Sequence, residues 1–419
     1  MRNKFLWAAA LAVVAAVCLA CARTGTQAPK TDVSPVAVTG ALGNPFVKAN
    51  ASQELVARIE VKALPRTTSA RPPVNLVLLV DTSGSMEGRA IADARAASLA
   101  LLGTLSPQDR LAVVTFDSKG DVLLPSTRLD DADLKELRAK IGAMKARGTT
   151  DMASGLRLAL NEAEKSMEKE GVNRIVLLGD GVPNDDARIA SLVAEAASRG
   201  VSITTMGLGN DYDETLMGRI AQQSGGKFSY VEDSTKVAAF FQEEVVRLHR
   251  VVARTAVLEL RPGPGVTIKN VVGRQIVAVD GHAVSVTLGD LTYGEENEIV
   301  VELASSQTKD GSAIEALDAT LRWQDGFGGT AREERLFLGA KATTDEARIA
   351  SGKDQGVADA VARAKDAAAT LQKIEQQRAL DRAKSANVNM PMPAPLAAPM
   401  NADETRRAHE RALKNFQHY

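Results

Sequence analysis

The chain has 419 residues, 45% hydrophobic and 25% charged, with 51 Lys and Arg balanced by 52 Asp and Glu. At roughly 100–200 residues per domain this composition describes a folded protein of two or three domains. With no overall basic field and only 4% aromatic residues, nucleic acid is not an expected partner.

Arg2 and Lys4 precede an apolar run from Phe5 to Ala20, too short and too rich in small residues to span a bilayer comfortably. The run leads into Cys18-Leu19-Ala20-Cys21, which resembles a bacterial lipobox, with Cys18 standing where Leu is usual. The resemblance implies that residues 1–20 are a signal peptide and that Cys21 carries a lipid. The mature protein would then be lipid-anchored in the cell envelope. Ala22, rather than Asp, after the cysteine implies the outer membrane if the source is Gram-negative. Residues 21–45, rich in Thr, Ser, Pro, Gly and Ala, read as a lipidated tether.

Residues 46–71 contain one strand, Glu54–Leu64, with Val56 and Val61 among its apolar positions, closed by Arg71-Pro72-Pro73. From 72 to 250 strands and helices alternate. Strands are predicted at Val74–Val80, Leu111–Phe116, Arg174–Leu178, Val201–Met206 and Lys227–Val231. The intervening helices fall at Ala90–Leu105, Asp131–Ala146, Met152–Glu170, Asp186–Ser198, Asp213–Gln223 and Ser234–Leu248. Such alternation calls for an α/β fold, a doubly wound and mostly parallel sheet. From 251 to 340 the pattern is strands alone, separated by turns such as Arg-Pro-Gly-Pro-Gly at 261–265. This is a small β-sandwich, with Trp323 in its core. The strand at 54–64 belongs to the same sandwich on this reading, so the α/β unit is an insertion in it. Thr343 and Glu346 form a capping-box signature opening a helical region over 343–386, which Gly352 and Gly356 divide. Its stripe of Val357, Val361, Ala364, Ala368 and Leu371 is expected to pack within the chain. Residues 387–419 read as linker and a short terminal helix.

The chemistry concentrates at one edge of the predicted sheet. Val80 runs into Asp81-Thr82-Ser83-Gly84-Ser85-Met86, an acid and two hydroxyls at alternate positions beyond the carboxyl end of a buried strand. Ligands bind in that crevice of open α/β sheets. Oxygen donors without nitrogen or sulfur select Mg²⁺, Ca²⁺ or Mn²⁺. Alone the pattern is weak, because Ser and Asp are ordinary helix caps. Gly148-Thr149-Thr150-Asp151 and Gly179-Asp180-Gly181-Val182-Pro183-Asn184 fall at loops on the same edge.

Together these pieces resemble the von Willebrand factor type A domain, over about residues 74–248. The resemblance implies a metal-ion-dependent adhesion site of Asp81, Ser83, Ser85, Thr150 and Asp180, with Thr149 as the alternative to Thr150. It implies Mg²⁺ as cofactor, with Ca²⁺ or Mn²⁺ possible, and a protein partner that presents an Asp or Glu carboxylate. The expected function is adhesion or scaffolding rather than catalysis. The alternative is a regulatory subunit of an AAA+ ATPase or of a channel-associated complex, since calcium-activated chloride channel regulators combine similar domains. A serine hydrolase is disfavoured, because Gly-x-Ser-x-Gly is absent and no histidine lies near the motifs. The two cysteines cannot build a disulfide or zinc scaffold. His249, His282, His409 and His418 are scattered and form no metal-binding pair. A phosphate loop of the Gly-x4-Gly-Lys type is also lacking.

Overall fold

The computed structural model describes residues 34–65, 71–179, 186–208, 213–231 and 236–385. The expected signal peptide, Cys21, Asp180 and the terminal linker lie outside the described residues.

Three strands open the described chain: β1 (Val36–Leu42), β2 (Phe46–Lys48) and β3 (Gln53–Ala63). β1 and its neighbours correct the expectation of a tether reaching residue 45. β1 pairs antiparallel with β3, from Val36 opposite Ala63 to Leu42 opposite Ala57. Its small residues resemble a linker, but buried Val36 and Leu42 anchor it at both ends. In β3 the buried face is Leu55, Ala57, Ile59, Val61 and Ala63, so Val56 points to the opposite side.

The α/β unit follows. Its elements are β4 (Val74–Asp81), α1 (Arg89–Leu102), β5 (Arg110–Phe116), β6 (Gly120–Arg128), α2 (Leu134–Gly142) and α3 (Met152–Lys165). They continue with β7 (Val172–Gly179), α4 (Asp186–Ser198), β8 (Ser202–Leu208), α5 (Glu214–Ser224), β9 (Phe228–Val231) and α6 (Val237–Leu248). The sheet order is β6-β5-β4-β7-β8-β9, and only the β5–β6 pairing is antiparallel. β4 and β7 are buried at every residue, as central strands covered on both faces must be. Leu76, Leu78 and Val80 face the layer of α1, α2 and α6, while Val77 and Leu79 face that of α3, α4 and α5. β6 has no counterpart among the expected strands: Pro125 interrupts its run, which only an edge strand tolerates. α2 is also shorter than expected. Asp133 caps it by accepting from the Lys135 and Glu136 amides, and it stops at Gly142 rather than Ala146. That early stop leaves residues 143–151 as a loop at the carboxyl edge of the sheet.

The sandwich resumes with β10 (Val251–Pro262), β11 (Val266–Val271), β12 (Val277–Asp280), β13 (Ala283–Thr292), β14 (Glu296–Ser305), β15 (Ala313–Asp325) and β16 (Ala331–Thr343). One sheet runs β1-β3-β14-β11 and the other β12-β13-β10-β15-β16-β2. β3 pairs with β14 from Gln53 opposite Ser305 to Lys62 opposite Glu296. The α/β unit therefore sits between two strands, β3 and β10, of one sandwich, whose core includes Trp323.

Two helices close the described chain, α7 (Glu346–Ser351) and α8 (Gln355–Ser385). The cap of α7 is Asp345, whose carboxylate accepts from the Ala347 and Arg348 amides. Thr343 instead ends β16 and its hydroxyl accepts the Asp345 amide, so the expected capping box of Thr343 and Glu346 is not formed and the cap lies two residues later. Ala360 and Ala364 of α8 pack with Val272 and Val300 and against Val56.

The α/β unit and the sandwich meet at a close glycine pair. Gly225, the left-handed cap of α5, lies against Gly289, itself at φ 75°. A Cβ on Gly289 would fall 1.8 Å from the Gly225 carbonyl oxygen. Gly289→Ala is expected to destabilise the protein by about 1–3 kcal/mol for overpacking and another 1–2 kcal/mol for the backbone conformation. Thermal unfolding checks it; an unchanged midpoint would show that the contact opens freely.

Candidate metal centre

β4 delivers Asp81 to the carboxyl edge of the sheet with its side chain fully buried. One carboxylate oxygen, Oδ1, accepts the Ser83 amide at 2.8 Å, which turns the chain sharply. A single 3-10 turn, Gly84–Met86, follows, pinned by buried Met86. This geometry brings the Ser83 and Ser85 hydroxyls to 3.0 Å from each other. Neither serine is used as a helix cap: Ser83 precedes the 3-10 turn without a side-chain capping bond, and α1 is preceded by Gly88. The ordinary explanation for serines at a helix start thus does not hold at this site.

The 143–151 loop is fastened to this turn from both sides. The Arg147 amide donates to the Thr82 carbonyl at 2.7 Å, and the Gly84 amide donates to the Gly148 carbonyl at 3.1 Å. Thr149 is turned away: its amide and hydroxyl meet the Ser118 hydroxyl at 3.0 and 3.2 Å. Thr150 is half-buried, and Asp151 caps α3 by accepting from Ser154. Of the two threonines, Thr150 is the one not engaged by Ser118.

β7 ends at Gly179 beside Asp81. A Cβ on Gly179 would lie 3.3 Å from Asp81 Oδ2, so glycine lets the two strand ends approach closely. Asp180 itself lies outside the described residues. The structure thus brings Asp81, Ser83 and Ser85 together and fastens the Thr150 loop beside them.

The β5–β6 turn contributes residues absent from the expected set. Asp117 accepts from Arg147 Nε at 2.6 Å, and its carbonyl accepts the Asp151 amide at 2.7 Å. Burial acts to raise the Asp117 carboxyl, but hydrogen bonds from Arg147 and the Lys119 amide outweigh it and hold it below its ordinary value. A signal was available, since β5 ends at the same edge as β4, with Phe116 opposite Asp81.

The donor chemistry fits a hard divalent cation. Adjacent oxygens around an octahedral Mg²⁺, bonded at about 2.0–2.1 Å, lie about 2.8–3.0 Å apart. The two serine hydroxyls, hydrogen-bonded to each other at 3.0 Å, lie within that spacing beside a buried carboxylate. Among the described residues no three His, Cys, Asp or Glu side chains gather as a metal-binding group.

Residues 75–243 match the family model of the von Willebrand factor type A domain. This segment is a von Willebrand factor type A domain. Two bacterial proteins carry the likeness beyond it. The uncharacterized protein YfbK of Escherichia coli strain K12 is 32% identical over 271 residues, covering 61% of this chain and 46% of that protein. The uncharacterized protein sll0103 of Synechocystis is 29% identical over 268 residues, covering 61% of this chain and 63% of that protein. The chain spans less than two thirds of the length of either relative. A solved structure of a von Willebrand factor type A protein from Catenulispora acidiphila superposes with a TM-score of 0.73 at 20% identity, covering 92% of this chain and 97% of that one. The shared fold therefore extends past the type A domain into the sandwich.

Proposed function

We propose that this protein is a lipid-anchored component of the cell envelope that holds a protein partner through a Mg²⁺ ion at the type A domain. The observation that carries the reading is the convergence of buried Asp81 with the Ser83 and Ser85 hydroxyls, 3.0 Å apart, where β4 ends. Asp81, Ser83, Ser85, Thr150 and Asp180 would hold the ion, directly or through water. A bound Mg²⁺ would supply a Lewis-acidic position open to an oxygen ligand from outside. The residues set that property. Ser83, Ser85 and Thr150 offer neutral oxygens, which offset none of the ion's charge beyond what Asp81 and Asp180 supply. Asp81 fixes the serine turn through its bond to the Ser83 amide. An Asp or Glu carboxylate on the partner is the matching ligand, being a hard anionic oxygen.

The amino-terminal Cys21 would anchor the protein through lipid, which the lipobox-like Leu19-Ala20-Cys21 supports. The test is capture from envelope extract on the immobilised protein. Partner retention is expected in Mg²⁺ and release on adding EDTA. Equal retention in both would contradict the metal bridge.

A further inference from the structure

The β5–β6 turn and Arg147 form a bracket around the loop that carries Thr150. Three consecutive features of the turn grip alternate residues of that loop. The Asp117 carboxylate holds Arg147 Nε at 2.6 Å, Ser118 Oγ takes the Thr149 amide at 3.0 Å, and the Asp117 carbonyl takes the Asp151 amide at 2.7 Å. Gly148 lies so close to the turn that a Cβ there would fall 2.4 Å from Ser118 Oγ. The grip is passed on to the serine turn, because Arg147 also donates its own amide to the Thr82 carbonyl at 2.7 Å. Asp117 is one tenth exposed, whereas the Arg147 side chain is 68% exposed. A long, exposed side chain held in one geometry loses conformational freedom, and an isolated surface ion pair recovers little of that loss. Its worth lies in what it positions.

We infer that Asp117 and Arg147 are positioning residues for the candidate metal centre, fixing the Thr150 loop against the Asp81-x-Ser83-x-Ser85 turn. The inference rests on the proposed metal site and adds two residues to it that bind no metal themselves. Outer partners that orient ligands are worth roughly 10–100-fold in metal affinity at well-studied sites.

The sign of one substitution separates this role from a merely electrostatic one. Arg147 is a cation beside a cation site, so through the field alone its removal would tighten metal binding. A positioning role requires the opposite. Mn²⁺ binding to the full chain, read by electron paramagnetic resonance of the free ion, is expected to weaken about tenfold in Arg147→Ala. Arg147→Lys, which restores a donor to Asp117, is expected to recover most of the loss. Hydrogen exchange in metal-free protein supplies a readout that needs no ion. The segment 143–152 should exchange faster in Arg147→Ala, while β4 and β7 stay as protected as in the wild type. Unchanged or tighter Mn²⁺ binding by Arg147→Ala, or unaltered exchange in 143–152, would overturn the inference while leaving the metal site standing. Wild-type protein that binds Mn²⁺ no better than Asp81→Ala would instead remove the site, and the inference with it.

Discussion

Asp81→Ala is expected to lose at least 100-fold in Mg²⁺ affinity and with it all metal-dependent partner capture, while the protein remains folded. The Asp81 carboxylate is fully buried beside the two serine hydroxyls, and it also holds the Ser83 amide. Its removal takes both the charge that attracts the ion and the bond that aligns the two hydroxyls. Mg²⁺ at 100 times its dissociation constant should stabilise the wild type by about 2.7 kcal/mol and leave the variant unmoved. Thermal unfolding with and without Mg²⁺ reads both effects at once. Asp81→Asn keeps an oxygen for the Ser83 amide but no charge, and should fall between. Equal stabilisation of wild type and Asp81→Ala by Mg²⁺ would place any bound ion elsewhere.

The second large effect concerns stability. Arg174, in the interior of β7, is 1% exposed. Its guanidinium bonds Asp290 of β13 at 2.8 Å and Thr204 of β8 at 2.9 Å, and Thr204 in turn bonds Glu244 of α6 at 2.9 Å. This network ties the type A domain to the sandwich. Asp290→Ala removes the carboxylate bonded to buried Arg174 and leaves only Glu244, 3.8 Å away, to offset its charge, a loss worth about 3–5 kcal/mol. The unfolding midpoint should drop by several degrees, at roughly 2–4 °C per kcal/mol in proteins of 150–250 residues. The double change Arg174→Met with Asp290→Leu should recover most of it, since paired apolar groups of similar volume replace buried ion pairs well.

The same network predicts acid behaviour. Burial acts to raise the Glu244 carboxyl, but the charges of Arg247 and Arg174 outweigh it and hold it at about 2, from an ordinary 4.5. A carboxylate lowered on folding stabilises the protein above its unfolded pKa. That stabilisation is therefore complete above 4.5 and is lost as pH falls from there towards about 2. Chemical denaturation across that window should show stability declining in the wild type, with a shallower decline in Glu244→Gln.

Much of this architecture is legible in the sequence because strong patterns survive tertiary context. The apolar run from Leu76 to Val80 reads as a strand covered on both faces, and Asp81 at its end marks the ligand edge. Weak patterns fail for identifiable reasons. β1 is built of small residues that resemble a linker, and its stability comes from pairing with β3. β12 is a four-residue edge strand, exposed throughout, with no buried face to betray it. β6 carries Pro125. At the site, the serine motif is local and readable, but the choice between Thr149 and Thr150 depends on Ser118, which is 31 residues away from Thr149 in the chain. Arg147 cannot be told from any exposed loop arginine until Asp117 is seen beside it. Arg174 is the opposite case. An arginine inside a buried apolar strand demands a carboxylate from elsewhere in the fold, although its sequence position cannot say that Asp290 supplies it.

One divalent ion is proposed to sit where β4 ends. Crystals grown or soaked with Mn²⁺ test it most directly, by the position of the anomalous scattering peak. The expected result is a single strong peak bounded by the Ser83 and Ser85 hydroxyls, Thr150 and the carboxylates of Asp81 and Asp180. Crystals saturated with Mn²⁺ that show no peak within coordination distance of Ser83 and Ser85 would contradict it.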